Sequence, residues 1–158
     1  MKKSTLSVQL RDVVESDLPI FFEQQLDRDA IRMAAFPSRE RETFMAHWAK
    51  ILADESIMVK TILFDEQVAG NIVSFLQSDE REIGNWLGKD FWKKGIATRA
   101  LAEFLEIVKT RPLYAHVANH NIASFRVLEK CGFKIFGQNK GLPDASGQEV
   151  DEFILKLD

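Results

Sequence analysis

The stretch with the clearest chemical potential runs from Trp86 to Ala100 and reads WLGKDFWKKGIATRA. It has the pattern of a strand end, a short loop and a helix that opens at Gly95. The first backbone N–H groups of a helix have no partner inside the helix, and together with the helix dipole they attract anions. Gly95 permits a close backbone approach, and Lys93 and Lys94 add positive charge. The pattern predicts a pyrophosphate site, although a glycine-bearing loop before an amphipathic helix would look the same.

A second stretch, NHNIASFRVLEKCGF, runs from Asn119 to Phe133. Asn121 or its neighbour starts a predicted helix, and Gly132 ends it. Its apolar face consists of Ala123, Val127, Leu128 and Cys131.

The elements that must position these segments follow from the apolar periodicity. Early strands pair as hairpins, and later strands alternate with helices, so the order is β-α-α-β-β-β-α-β-α-β-β. This order predicts an α/β fold with one mixed, mostly antiparallel sheet and helices on both faces. The predicted strands are Leu6–Val13, Ile57–Phe64, Val68–Phe75, Glu80–Leu87, Pro112–Val117, Phe133–Phe136 and Val150–Leu157. The first predicted helix is capped by Ser16 or Asp17, and the others begin at Ser38, near Ile96 and near Asn121.

Composition is that of a soluble globular protein. The chain has 158 residues, of which 46% are hydrophobic and 28% charged, with a net charge of −3. This length predicts a single domain over residues 1–158. The negative charge argues against nucleic acid as a partner, and the apolar runs are too short for a membrane span. The one cysteine, Cys131, excludes an internal disulfide and is typical of a reducing, cytoplasmic compartment.

Taken together, the motifs resemble those of the GNAT superfamily, within it the ribosomal-protein-alanine acetyltransferases and their relatives. That branch typically has Gly-Tyr-Trp-Ile at a strand end, then Trp-Gly-x-Gly-x-Ala-Thr, then Asn-x-x-Ser and Lys-x-Gly-Phe. The hairpin strand Val68–Ile72 also resembles that of the family, and the resemblance extends from Arg11 to the last strand. The segments that correspond here, in the same order, are Gly84–Leu87, Trp92–Thr98, Asn121 with Ser124, and Lys130–Phe133.

The resemblance implies a site for acetyl-coenzyme A (acetyl-CoA) as cosubstrate. The pyrophosphate is expected on the N–H groups of Lys93 to Thr98. The pantetheine arm is expected to lie like an extra strand beside the end of Glu82–Leu87, where two parallel strands splay apart. Asn121 is expected to hydrogen-bond this arm, and Ser124 to lie near the thioester. The residues expected to bind the coenzyme are Trp86, Leu87, Trp92, Lys93, Lys94, Gly95, Ile96, Ala97, Thr98, Asn121 and Ser124.

Acetyl transfer needs a neutral amine, whereas free amines are mostly protonated at neutral pH. A base is therefore expected, often acting through water. Glu82 is the predicted base and Glu80 lies near it, although a solvated strand edge would also account for both. His116 and His120 are weaker candidates, because a lone histidine is more often structural.

The tyrosine that many superfamily members use as the acid is absent. Leu128 falls at its place, and the only tyrosine, Tyr114, lies on the preceding strand. Ser124 is the predicted substitute, because members of this branch have a serine at that place. The equally supported alternative is a first-turn serine that satisfies backbone N–H groups. Cys131 is predicted to be buried and inert.

These features predict an N-acetyltransferase that moves acetyl from acetyl-CoA to a protein N-terminal α-amine or a small-molecule amine, by direct attack in a ternary complex. An amine antibiotic or polyamine acetyltransferase is one alternative. An acyl-CoA-binding module without turnover is another, which the absent tyrosine favours. No metal is expected, and a homodimer is left open. The resemblance places the acceptor against the segment that contains Arg28, Asp29, Arg32, Met33 and Phe36.

Overall fold

Seven strands form a single sheet in the computed structural model, which describes residues 7–34, 39–143 and 149–158. The strands are β1 (Val8–Arg11), β2 (Met58–Phe64), β3 (Gln67–Gln77), β4 (Glu80–Leu87), β5 (Leu113–Ala118), β6 (Lys134–Pro143) and β7 (Glu149–Leu157). Their order across the sheet is β1-β2-β3-β4-β5-β7-β6. Only the central pair, β4 and β5, is parallel. The predicted mixed, mostly antiparallel sheet is confirmed.

Helices lie on both faces of this sheet, as predicted. They are α1 (Leu18–Gln24), α2 (Arg28–Ala34), α3 (Arg41–Ala53), α4 (Ile96–Ile107) and α5 (Ile122–Lys130). The sequence predicted two helices between the first two strands, and the described residues of this stretch form three. The additional one is α2, whose start is capped by the Asp27 carboxylate, which accepts the N–H of Ala30 at 2.8 Å. The predicted start at Ser38 lies outside the described residues, and α3 begins at Arg41.

Two apolar layers hold the helices against the sheet. On one side, α4 and α5 bury Ile96, Phe104 and Leu128 against the central strands. On the other side, Phe21 of α1 and Trp48 of α3 pack with ring centroids 5.0 Å apart over Val59 and Val68. Alternate residues of a strand point to opposite faces, so the same strands supply both layers. The sheet is therefore buried on both faces at its centre.

Asp17 was predicted as a possible cap of the first helix, and the structure gives its side chain a different role. The carboxylate is 2% exposed and accepts two hydrogen bonds from Arg11, at 2.7 and 2.9 Å, and one from Thr61 at 2.7 Å. It also accepts the backbone N–H of Val14 at 3.0 Å. Burial alone would raise the pKa of Asp17, but these bonds hold it below its usual value. The carboxylate thus ties β1, β2 and the start of α1 together.

Candidate functional site

The parallel strands β4 and β5 diverge after two residue pairs. They are paired at Arg81–Leu113 and Glu82–Tyr114, and no residue pairs join the two strands beyond these. On its other side β4 stays paired with β3 to Leu87, and β5 stays paired with β7 to Ala118. We call the wedge between residues 83–87 and 115–118 the fork. Because backbone groups along its inner edges have no strand partner, an extended chain can pair there as an added strand.

A left-handed turn lies just beyond the wide end of the fork, before α4. Gly95 has φ 78°, a conformation that glycine adopts without the penalty of a β-carbon. Lys93 also has a positive φ, 62°, and such outliers cluster at ligand sites. The first intrahelical bond runs from the N–H of Arg99 to the carbonyl of Gly95 at 3.3 Å, so the N–H groups of residues 96–98 have no partner within the helix. Lys93, Lys94 and Gly95 are exposed, and this arrangement can hold an anion.

Two predicted coenzyme-binding tryptophans use their indole N–H groups within the protein. Trp86 donates to the carbonyl of Gln24 at 3.2 Å, which attaches β4 to the end of α1. Trp92 donates to the carbonyl of Leu87 at 2.9 Å, which attaches the loop before α4 to the end of β4. Any contact of Trp92 with a ligand therefore involves its ring and not its N–H group.

The start of α5 lies at the end of β5, on the other side of the fork. Asn121 is its N-cap, and its side-chain oxygen accepts the N–H of Ser124 at 3.3 Å. Sequence reasoning left open whether Ser124 is a capping residue, and the structure gives the cap to Asn121. Within the described residues, the half-buried hydroxyl of Ser124 has no hydrogen-bond partner. The hydroxyl of Ser124 and the amide N–H₂ of Asn121 are thus both available to a ligand.

Asn121 has two roles, as the N-cap of α5 and as an amide donor to a ligand, and two substitutions can separate them. Asn121→Ala removes the cap and the amide donor, so we expect about 1 kcal/mol less stability together with weaker acetyl-CoA binding. Asn121→Ser keeps a capping oxygen and removes only the donor, so stability should stay near the wild-type value while binding still weakens. Thermal unfolding and calorimetry measure the two effects. Wild-type affinity in Asn121→Ser would exclude Asn121 from the coenzyme site.

A chain of polar side chains crosses the narrow end of the fork. Oε2 of Glu82 on β4 lies 3.3 Å from Nε2 of His116 on β5. Nδ1 of the same ring lies 2.8 Å from Oε1 of Glu152 on β7. Asn139 on β6 donates to this same Glu152 oxygen at 2.8 Å. We call these four residues the polar row.

Burial changes the acidity of the predicted base. The side chain of Glu82 is 13% exposed, compared with 33% for His116 and 20% for Glu152. Burial raises the pKa of Glu82; His116 opposes this shift, whereas the charges of Glu80 and Glu152 add to it. A carboxylate with a raised pKa binds a proton more tightly and is better suited to take one from an ammonium group near neutral pH.

Sequence reasoning found two members of the polar row and missed two. Glu82 was the predicted base and His116 a weaker candidate, and the structure brings them together. Glu152 and Asn139 were not singled out, because nothing local distinguishes them from other polar strand residues. The usable signal would have been the sheet order, which inserts β7 between β5 and β6.

The remaining titratable candidates lie elsewhere. Nε2 of His120 donates to the carbonyl of Arg32 at 2.7 Å, outside the polar row. His47 lies on α3, where burial lowers its pKa. Burial raises the pKa of the Cys131 thiol, in agreement with an inert cysteine. Leu128, at the place of the family's tyrosine, is buried in the core, and Tyr114 packs against Phe136.

The predicted acceptor segment is tied to both arms of the fork. Asp29 of α2 pairs with Lys89, which follows β4, and with Arg32 at 2.6 Å. The bond from Lys89 is the main reason why the pKa of Asp29 is lowered. Because His120, just after β5, binds the carbonyl of Arg32, α2 lies near the wide end of the fork. Phe36, also predicted here, lies outside the described residues.

Over residues 7–34, 39–143 and 149–158, no three His, Cys, Asp or Glu side chains are grouped so that they could hold a metal ion. In the same residues, no helix is long and apolar enough to cross a membrane.

A protein-family model matches most of this chain. The acetyltransferase (GNAT) domain model matches residues 7–134, which is more than half of the chain and includes both arms of the fork. Among curated protein sequences, none matches significantly.

Solved structures with the same fold include several with coenzyme bound. The ribosomal L7/L12 α-N-protein acetyltransferase RimL, in complex with coenzyme A, is 19% identical with a TM-score of 0.82, over 97% of this chain and 94% of RimL. Spermidine N-acetyltransferase from Vibrio cholerae, in complex with coenzyme A and spermine, is 17% identical with a TM-score of 0.83, over 95% and 94%. The microcin C7 self-immunity acetyltransferase MccE, in complex with acetyl-CoA and AMP, is 18% identical with a TM-score of 0.78, over 94% and 91%. At these identities the likeness establishes the fold.

Proposed function

Because this chain belongs to the acetyltransferase (GNAT) domain family, and is thus an acetyl-CoA-dependent N-acetyltransferase, we propose that it moves acetyl onto a primary amine by direct attack in a ternary complex. The observation that supports this most is the fork, with the starts of α4 and α5 following its two arms. An anion-binding turn lies at its wide end, an unpaired strand edge runs along it, and a largely buried carboxylate lies at its narrow end. Binding of acetyl-CoA and deprotonation of the acceptor amine require these features.

The residues present fit acetyl-CoA. The left-handed turn at Gly95 and the free N–H groups of residues 96–98 suit the pyrophosphate, and the exposed Lys93 and Lys94 add opposite charge. The inner edge of β4 offers backbone partners to the amide groups of the pantetheine arm. Asn121, at the opposite arm, adds an amide donor. The coenzyme supplies the activated acetyl group, and the protein orients it.

The proposed role of Glu82 is to accept a proton from the acceptor ammonium, directly or through one water. The neutral nitrogen then forms a C–N bond to the acetyl carbon while the C–S bond breaks. The electron pair of that bond leaves with the sulfur, as the thiolate of coenzyme A. A free thiol of this kind has a pKa of about 8.5, so the thiolate needs only modest help from an acid.

The acceptor is proposed to be a cationic amine, since Glu82, Glu152 and Glu80 make the narrow end of the fork negative. A protein N-terminus and a polyamine both meet this requirement, and both occur as substrates in the names of structural neighbours. The alternative of a binding module without turnover is less favoured, because it gives no role to a buried carboxylate beside an imidazole.

Steady-state kinetics test the direct attack. Varying acetyl-CoA at several fixed amine concentrations should give intersecting double-reciprocal lines, because both substrates must be bound before transfer. Mass spectrometry of the acceptor should find one added acetyl group. Parallel lines, together with an acetylated enzyme, would contradict direct attack and point to a covalent intermediate.

Ser124 is proposed to donate a hydrogen bond to the leaving sulfur. Since its hydroxyl caps nothing, Ser124→Ala should change thermal stability little. We expect turnover to fall by about tenfold to 100-fold, with acetyl-CoA affinity preserved, because a positioned donor to developing charge contributes up to about 10²–10³. Unchanged turnover per folded molecule would remove Ser124 from the mechanism.

A further inference from the structure

The hydrogen bonds of the polar row determine which nitrogen of His116 carries a proton. An ionised carboxylate only accepts hydrogen bonds, and an amide N–H₂ only donates them. Oε1 of Glu152 accepts from Asn139 and lies 2.8 Å from Nδ1 of His116, so Nδ1 must be the donor. In the neutral ring this leaves only a lone pair on Nε2, facing Glu82.

The contact between Glu82 and His116 therefore requires one more proton. Nε2 and Oε2 are 3.3 Å apart, and two lone pairs would repel each other at this distance. The proton is either on the Glu82 carboxyl or on the ring, and both placements give one hydrogen bond. Burial of Glu82 favours its neutral form, which fits a proton held between the two groups.

We infer that Glu82 and His116 act as one base, in which His116 takes the acceptor's proton from Glu82 and Glu152 fixes the ring for that transfer. The inference rests on the proposed function and adds a positioning residue and a proton acceptor to it. Neither His116 nor Glu152 needs to touch the substrate. The assignment rests on the distances from the His116 ring to Glu82 and to Glu152.

One proton leaves the pair for each one that enters it. At the start the shared proton is on Nε2 of His116, so an ionised Glu82 lies beside an imidazolium. The ammonium of the acceptor gives one proton to Glu82 and becomes a neutral amine. The ring is one-third exposed, so its Nε2 proton passes to water, and the proton taken from the acceptor then becomes the shared proton between Oε2 and Nε2. Histidine suits this step because it takes up and releases protons near neutral pH.

Other charged side chains lie on the elements next to the His116 ring. Strand β4 contributes Glu80 besides Glu82, and β7 contributes Glu152. Helix α2, which packs on β5, has Arg28, Asp29 and Arg32. Asp29 is engaged with Arg32 and with Lys89 of the loop after β4. Among the described residues, the charged groups recorded within ion-pair distance of His116 are Glu82 and Glu152.

One test does not depend on turnover. In protein labelled with ¹⁵N-histidine, the neutral ring of His116 should carry its proton on Nδ1, and Glu152→Ala should abolish this preference. Glu152→Gln, whose side-chain oxygen still accepts from Nδ1, should retain it. A neutral ring protonated on Nε2, or equal spectra for the two Glu152 variants, would overturn the inference even in a protein without activity.

A second test uses the pH profile of kcat. His116 holds down the pKa of Glu82, so His116→Gln should raise that pKa and move the acidic limb of the profile to higher pH. Plateau kcat should fall by about tenfold, part of the 10²–10⁴ of general base catalysis, with KM for both substrates retained. His47→Gln, on α3, is the matched control and should leave the acidic limb of the pH profile unchanged. An unmoved limb in His116→Gln, or a loss confined to KM, would refute the inference.

Discussion

Replacing Gly95 with glutamate should lower the affinity for acetyl-CoA by about 100-fold or more, a loss of roughly 2.7 kcal/mol. Two effects add. A residue with a β-carbon at φ 78° is strained by about 1–2 kcal/mol. The new carboxylate also lies where the unpaired N–H groups of α4 are proposed to hold the pyrophosphate, so it repels the ligand and occupies its donors. Calorimetric titration with acetyl-CoA measures the change.

Two further glycine variants separate strain from charge. Gly95→Ala has the strain without the carboxylate, so it should bind more weakly than the wild type and more tightly than Gly95→Glu. Gly132 also has a positive φ, 99°, but lies at the end of α5, where an added β-carbon would be 3.2 Å from Leu157. Gly132→Ala should therefore lose stability and keep its affinity. Wild-type affinity in folded Gly95→Glu would exclude this turn as the pyrophosphate site.

Replacing Glu82 with glutamine should reduce turnover at neutral pH by about 10²–10³-fold, within the range of general base catalysis. The amide keeps the shape and a hydrogen bond to His116 but cannot accept the acceptor's proton. Affinity for acetyl-CoA should remain, because the coenzyme is proposed to bind further along the fork. Rates of thiol release and calorimetry measure the two quantities.

Glu80, the neighbouring carboxylate, allows the pKa of Glu82 to be changed without replacing Glu82 itself. The charge of Glu80 helps to raise the pKa of Glu82, so Glu80→Gln should lower that pKa. The base is then ionised at more acidic pH, and the acidic limb of the activity profile should move to lower pH. Glu103→Gln, on the exposed side of α4, should leave the profile unchanged. Turnover of Glu82→Gln within a few-fold of the wild type would contradict the role of Glu82.

The sequence allowed the fold and the approximate place of the site to be predicted because their signals are local. The hydrophobic face of α4, buried through Ile96, Ala100 and Phe104, repeats at helical spacing. Gly95 and the two lysines before it stand together in the chain, so their meeting at one turn needs no knowledge of the tertiary structure. The predicted family is confirmed by the domain model over residues 7–134.

The polar row could not be predicted in the same way because it depends on contacts between distant segments. His116 and Glu152 are 36 residues apart, and they meet only because β7 pairs with β5. Helix α2 was missed for a different reason: it has only seven residues, which is too short a stretch to show a helical period. Its capping residue, Asp27, was the local signal that could have revealed it.

The most direct test of the account is the release of coenzyme A thiol from acetyl-CoA by the wild-type protein, followed with and without amines. The panel should include peptides with free N-termini, polyamines and aminoglycosides, with Gly95→Glu measured beside the wild type. We expect thiol release that depends on at least one amine, acetylation of that amine in equal amount, and loss of both in Gly95→Glu. Tight acetyl-CoA binding by the wild type, with no amine-dependent thiol release across the panel, would contradict it and identify a binding protein instead.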